Sequence, residues 1–243
     1  MSPAERDRVV ASLPFVVEND FMSEGDAHAR VVDDSVQAVR NRFGGNGPGS
    51  RSMYVGRSIM VHYPNVRGFA PDIFVVFDVE DRMRESWVVS REGKGLDLAI
   101  EVLWKGDARK DYHRNVALYA SVGIPEYFVF DLNRMIITGQ RLEPGTSTYR
   151  PILGQGGRFW SEVLGLHVAV QGGEFRFFLG EAVIPTDREV RRRLNEALTA
   201  TLERAATDAE RAATEAERAD SAEARVRDLE ARLAALLAGH TPS

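Results

Sequence analysis

Cysteine is absent from this 243-residue chain. That excludes disulfides and thiolate metal sites, and it is compatible with a reducing cytoplasm. Lysine is scarce: of the 31 basic residues only Lys94, Lys105 and Lys110 are lysines. No apolar run approaches the roughly 18 residues that a membrane span needs. Basic excess is missing too. The net charge is −5, so no global field draws in a polyanion, and any nucleic-acid contact needs a local patch. The first residues, MSPAERDRVVASLPF, mix acidic with basic side chains and lack the long apolar core of a signal peptide. A cytoplasmic protein is expected, with no membrane partner.

What is present suits one globular domain with an appendage: 44% of the residues are hydrophobic and 28% charged. The organising stretch is 96–131, LDLAIEVLWKGDARKDYHRNVALYASVGIPEYFVFD. An apolar run over 96–104 carries one charged residue at its middle, Glu101. A helical pattern follows at about 108–122, with Tyr112, Val116 and Tyr119 along one face. Gly123 and Pro125 signal its end. A second apolar run covers 127–130. This reads as strand, helix, strand, with the two strands parallel through a right-handed crossover. A carboxylate inside a buried strand is costly unless something pairs with it. All three lysines lie beside or within this stretch. Arginine keeps its charge, whereas lysine is a compact point charge that can shift its pKa.

The remaining elements flank that unit. An amphipathic segment and an acidic loop are expected over 1–26. A helix follows over 27–43, with His28 near its start. GGNGPGS at 44–50 is a flexible connector. One strand or a bent pair is expected at 52–63, strands at 73–79 and 86–91, a hairpin return at 134–142, and short strands between 148 and 179. Pro185 marks a domain end. The expected organisation is therefore an N-terminal segment (1–14), a domain (15–185), a charged helix (186–238) and a tail (239–243).

The helix is a different material. Residues 186–238 hold no glycine or proline, and a seven-residue repeat runs AATDAER, AATEAER, ADSAEAR, VRDLEAR. Ala205, Ala212, Ala219, Val226 and Leu233 share one position. Asp208, Glu215, Ala222, Leu229 and Leu236 share the position three later. This period implies a left-handed supercoil. The aliphatic seam is confined to the end, from Ala222 onward, so a homodimer through this helix is expected to be weak. A single charged helix is the alternative.

Two carboxylates sit on apolar strands: Asp72 at a strand start, after Pro71, and Glu101 inside another. Strands lie about 4.8 Å apart, so two such side chains can meet at one ion. Magnesium takes oxygen ligands and usually one or two protein carboxylates. The carbonyl of Val102 is a further oxygen. Strand alternation places Glu101, Leu103 and Lys105 on one face if the strand persists, which makes Lys105 the first candidate cation and Lys110 the second. Arg109 and Arg114 can contact phosphates, although a solvated helix face also explains them.

The ordered series Pro71-Asp72, Glu101-Val102-Leu103, Tyr119, Gly123-Ile124-Pro125-Glu126-Tyr127 and Asp131 resembles the Uma-type restriction endonuclease family of the PD-(D/E)XK nuclease superfamily. The resemblance covers roughly 15–180. It implies an α/β fold, a restriction-endonuclease-like mixed sheet flanked by helices. It also implies metal-dependent hydrolysis of DNA phosphodiester bonds at Asp72 and Glu101, with magnesium or manganese. His28 resembles the histidine that often begins the family's first helix. The chain departs from the pattern at the lysine. Two residues after the glutamate stands Leu103, and four residues before the helix tyrosine, where relatives often carry lysine, stands Asn115. The family's usual serine-proline after the strand is here Trp104-Lys105. The lysine role is thus moved to Lys105 or Lys110, or lost. In the latter case the domain is an inactive scaffold that oligomerises through its helix.

Overall fold

The structure is a computed structural model and describes residues 2–12, 25–45, 49–104 and 110–238. It forms two compact units, Met1–Asp187 and Arg188–Ser243.

The first unit opens with α1 (Pro3–Ala11). A capping box starts it: Ser2 and Glu5 exchange side-chain and backbone hydrogen bonds, with Pro3 at the first turn. α1 buries none of its residues fully, and Val10 is half-buried. α2 (Asp26–Phe43) buries His28, Val32, Val36, Val39 and Phe43, one face at helical spacing. The 52–63 run divides into β1 (Met53–Arg57) and β2 (Met60–His62), as a bent pair, at Ser58 with its positive φ of 49°. β3 (Ile73–Phe77) is buried throughout. The strand expected at 86–91 is shorter: β4 (Ser86–Val88) passes into the helical turn α3 (Val89–Glu92). Gly93, left-handed at φ 76°, closes that turn by donating to the Val89 carbonyl at 2.9 Å.

β5 (Leu98–Leu103) is followed, in the described residues, by a π-helical turn (Lys110–Arg114) and α4 (Asn115–Ser121). Then come β6 (Glu126–Asp131), β7 (Ile136–Leu142), β8 (Tyr149–Ile152), β9 (Arg158–Ser161), β10 (Leu166–Gln171), β11 (Glu174–Leu179) and β12 (Ala182–Val183). Six strands form one mixed sheet in the order β1-β3-β5-β6-β7-β8. Only β5 and β6 pair parallel in it, with Leu98 opposite Glu126 and Leu103 opposite Asp131. β9 to β12 form an antiparallel sheet, and β2 pairs parallel with β4.

Alternation along β3 and β5 sorts the core into two layers. Ile73, Val75, Leu98, Ile100 and Val102 join the cluster that contains α2 and the inner residues of the four-stranded sheet. Phe74, Val76, Ala99 and Leu103 join Trp87, Tyr119 and Tyr127 on the other face. Glu126, 1% exposed, ties the two sheets together. It accepts from Arg141 Nε at 2.9 Å, Ser161 Oγ at 2.5 Å and Glu162 N at 2.8 Å. α5 (Asp187–Ala238) forms the second unit with 52 residues, and every residue from 191 to 235 is exposed.

Removing the acceptor at the centre of a buried ion pair strands its partners. Glu126→Ala is expected to lower unfolding stability by about 3–5 kcal/mol, read from urea denaturation midpoints. Glu126→Gln, which keeps an acceptor, should lose less.

Candidate active site

The β3–β5 ladder has only three residue pairs, Ile73–Ile100, Phe74–Ala99 and Val75–Leu98. Side chains extend it at both ends. Asp72, one residue before β3, accepts the backbone N–H of Val102 on Oδ2 at 2.7 Å. At the other end Asp97 Oδ2 accepts from Phe77 N at 2.7 Å, and Lys94 Nζ lies 2.9 Å from the same oxygen. Lys94 also donates to the Phe77 carbonyl at 2.7 Å, so this lysine is a structural clip. The continued register sets Asp72 opposite Glu101.

Asp72 is held from a second side. His28 Nε2, delivered by the first turn of α2, lies 3.2 Å from Oδ2, and both side chains are largely buried. His28 therefore supports the carboxylate. Both named contacts use Oδ2, and Oδ1 meets no partner among the described residues.

Glu101 is 2% exposed and projects to the opposite layer, between Ala99 and Leu103 on its strand. Its Oε1 accepts from Tyr119 OH at 2.5 Å and Asn115 Nδ2 at 3.0 Å. These donors stand four residues apart on α4, on one helix face. The Tyr119 ring is fixed by Phe69 and Tyr127, whose centroids lie 5.1 and 5.0 Å away. A cavity of about 200 Å³ lies over the carboxylate, lined by Arg67, Phe69, Glu101, Arg114, Asn115 and Tyr119, among others. Arg67 and Arg114 are both exposed. Guanidinium forks at such a position match phosphate oxygens.

Backbone alternation adds an oxygen. The Leu103 carbonyl accepts from Leu132 N at 3.0 Å on the β6 side. Val102 accordingly turns both its backbone groups toward β3, where its N–H meets Asp72. Its carbonyl points along that same edge. Asp72, Glu101 and this carbonyl are each oxygen donors of the kind magnesium accepts, while the Asp72 carboxylate is held toward His28 of α2 and the Glu101 carboxylate toward Tyr119 and Asn115 of α4. Among the described residues no group of three or more histidine or carboxylate side chains is arranged to hold a metal. The fit therefore rests on two carboxylates and the strand edge.

Of the residues singled out in the sequence, Asp72 and Glu101 occupy opposed backbone positions at the end of the β3–β5 ladder, with His28 beside the first and α4 holding the second from the other layer. Lys105 and Arg109 lie outside the described residues, as does the side chain of Lys110, whose backbone opens the π-helical turn. Arg114 lines the cavity. Two donors to Glu101 were not assigned a role from the sequence. Asn115 stands out there only as the residue in place of a lysine, and Tyr119 as an apolar-face residue and as the helix tyrosine of the family resemblance. Their i, i+4 spacing opposite a mid-strand carboxylate was the available signal.

The fold and this junction define an α/β protein built on a mixed sheet, with two carboxylates beside one strand edge. Residues 19–171, more than half of the chain, match the family model Uma2, described as "Putative restriction endonuclease". The chain belongs to that family. No curated protein matches it. Among solved structures it is similar to one described as a "putative nuclease belonging to DUF820" from Anabaena variabilis. The identity is 13% and the TM-score 0.49, with 66% of this chain and 92% of the other covered.

A hydrogen bond to a charged group contributes about 1.5–3 kcal/mol. Tyr119→Phe is expected to cost an amount in that range by urea denaturation. In a double-mutant cycle with Asn115→Ala, the two changes should be non-additive by about 0.5 kcal/mol or more, because both donors serve Oε1. Strict additivity would mean that they do not share the carboxylate.

Proposed function

We propose that this chain is a metal-dependent endonuclease that hydrolyses DNA phosphodiester bonds. Membership of a family described as restriction endonucleases supports a nuclease. The observation that carries the residue assignment is the Asp72 carboxylate bound to the N–H of the residue next to buried Glu101. Asp72 and Glu101 supply oxygen ligands to magnesium, with manganese as an alternative. When bound, the cation offsets phosphate charge and acidifies water.

The chain's own groups do the rest. His28 keeps Asp72 turned to the strand edge. Tyr119 and Asn115 hold the Glu101 carboxylate in one rotamer. Lys105, or Lys110 in its place, orients the attacking water and stabilises the charge that grows on the phosphate oxygens. Arg67 and Arg114 bind flanking phosphates at the mouth of the cavity. Water oxygen bonds to phosphorus and releases one proton to solvent, the bond to the leaving oxygen breaks, and that oxygen takes up one proton from solvent, so that a phosphomonoester and a hydroxyl end result.

One observation favours a second reading. Asn115, a neutral amide, occupies the α4 position that faces Glu101. If no lysine reaches the site from 105 or 110, the domain is a catalytically inactive scaffold.

Plasmid cleavage with magnesium or manganese separates the two. Wild type should nick or linearise the plasmid. Glu101→Gln and Asp72→Asn should each lose about 100-fold or more. Asp72→Asn keeps an acceptor for the Val102 N–H, so its loss would not reflect an opened ladder. Lys105→Ala should fall more than Lys110→Ala. No cleavage by wild type, together with no calorimetric binding of manganese that depends on Asp72 and Glu101, would establish the scaffold. Cleavage of small phosphodiesters in preference to DNA would change the substrate class while keeping the residues.

A further inference from the structure

We infer that α5 is the dimerisation element of this chain and that it pairs with a second copy as a parallel, in-register coiled coil over its C-terminal part. This inference is independent of the nuclease reading. With the position shared by Ala205, Ala212, Ala219, Val226 and Leu233 written as a, and that of Ala222 and Leu229 as d, the flanking positions sort by sign. The g positions are Arg204, Arg211, Arg218, Arg225 and Arg232. The e positions of the last heptads are Glu223 and Glu230.

In a parallel pair each g residue meets the e residue of the partner's next heptad. Arg218 then faces the partner's Glu223, and Arg225 the partner's Glu230, each twice by symmetry. An antiparallel pair would set g against g and e against e, arginine on arginine and glutamate on glutamate. The charge pattern therefore selects both a second copy and its direction.

Two further observations point the same way. Val226, Leu229 and Leu233 are 53%, 62% and 59% exposed on the single helix, and they fall at a, d and a. A β-branched residue at a with leucine at d favours two strands. Among the described residues Arg218, Arg225 and Glu230 have no ion pair within the chain, while their neighbours do: Arg227 with Glu223 at 3.5 Å and Arg232 with Asp228 at 3.1 Å. Three of the four residues that the parallel register would pair are thus without an ion pair in the chain, and the fourth, Glu223, meets Arg227 across an exposed 3.5 Å contact.

Asp208 and Glu215 at d limit the contact to the last three heptads or so. The paired surface is then smaller than a standard interface of about 800 Å² per partner, and the expected dissociation constant is roughly micromolar. In this register both copies of the first unit are joined to the same end of the pair.

Sedimentation equilibrium of the full chain tests this without reference to cleavage. A species of twice 27.0 kDa should form at tens of micromolar and dissociate on dilution. Leu229→Lys should give monomer. Arg225→Glu should weaken association by roughly tenfold, and adding Glu230→Arg should restore it. Because the chain has no native cysteine, Ala222→Cys should cross-link between copies on mild oxidation only if the helices are parallel and in register. A monomer at tens of micromolar would overturn the inference. So would a dimer that survives Leu229→Lys, one that the paired charge reversal does not restore, or one that Ala222→Cys leaves uncross-linked.

Discussion

The hydrogen bond from Val102 N to the Asp72 carboxylate fixes the part of the fold on which the site depends. β3 and β5 share only three ladder pairs, few enough for register to need further definition. Asp72 supplies it at one end and Asp97 at the other, each accepting a backbone N–H at 2.7 Å. A slip of one residue would exchange the two faces of β5. Glu101 would then point at the aliphatic layer under α2, away from Tyr119 and Asn115, and Ile100 would lose its place in that layer. The carboxylate that sets the register is thus also one half of the proposed ligand pair.

Burial of Glu101 is the second constraint, and the crossover between β5 and β6 meets it. A desolvated carboxylate is stable only when its lone pairs are occupied. α4 carries the two donors one turn apart, and both ends of the crossover are anchored. Tyr112 OH donates to Asp131 at 3.1 Å near its start, while Gly123, at φ 81°, closes α4 before β6. Asp131 also accepts from Asn133 and Arg134, so it organises the following turn. The π-helical turn immediately before Asn115 shifts the helix phase, and such turns occur often at functional sites.

Much of this was legible because the signals were local. The parallel pair around residues 96–131 follows from two apolar runs, a helical pattern and a Gly-Ile-Pro stop, all within one crossover length. The split of residues 52–63 and the helical turn at Val89 were less legible. They depend on backbone angles at Ser58 and on a glycine cap that composition does not fix in advance. Asp72 and Glu101 stood out as carboxylates in apolar surroundings. Their partners did not, since Asn115, Tyr119 and His28 acquire their roles only when α2 and α4 are laid against opposite faces of β5. Lysine scarcity did not indicate the role of the lysine whose contacts are described. Lys94, the lysine whose contacts are described, secures the ladder end remote from Glu101.

The C-terminal helix poses the converse problem, a regular sequence whose residues from 191 to 235 are all exposed. A straight α-helix drifts about 20° per heptad against a seven-residue repeat. Leu198 and Leu233 occupy the same repeat position but are five heptads apart. On an isolated straight helix they would face directions about 100° apart, so the repeat would define no single face. Over the stretch inferred to pair, winding around a second helix would remove that drift and bring Ala219, Val226 and Leu233 into line. A sequence needing only a soluble spacer has no reason to keep this period, because i, i+4 ion pairs would serve at any phase. The arginine row beside the seam keeps the same period as the apolar row, which ties the charges to the winding and not to the helix alone.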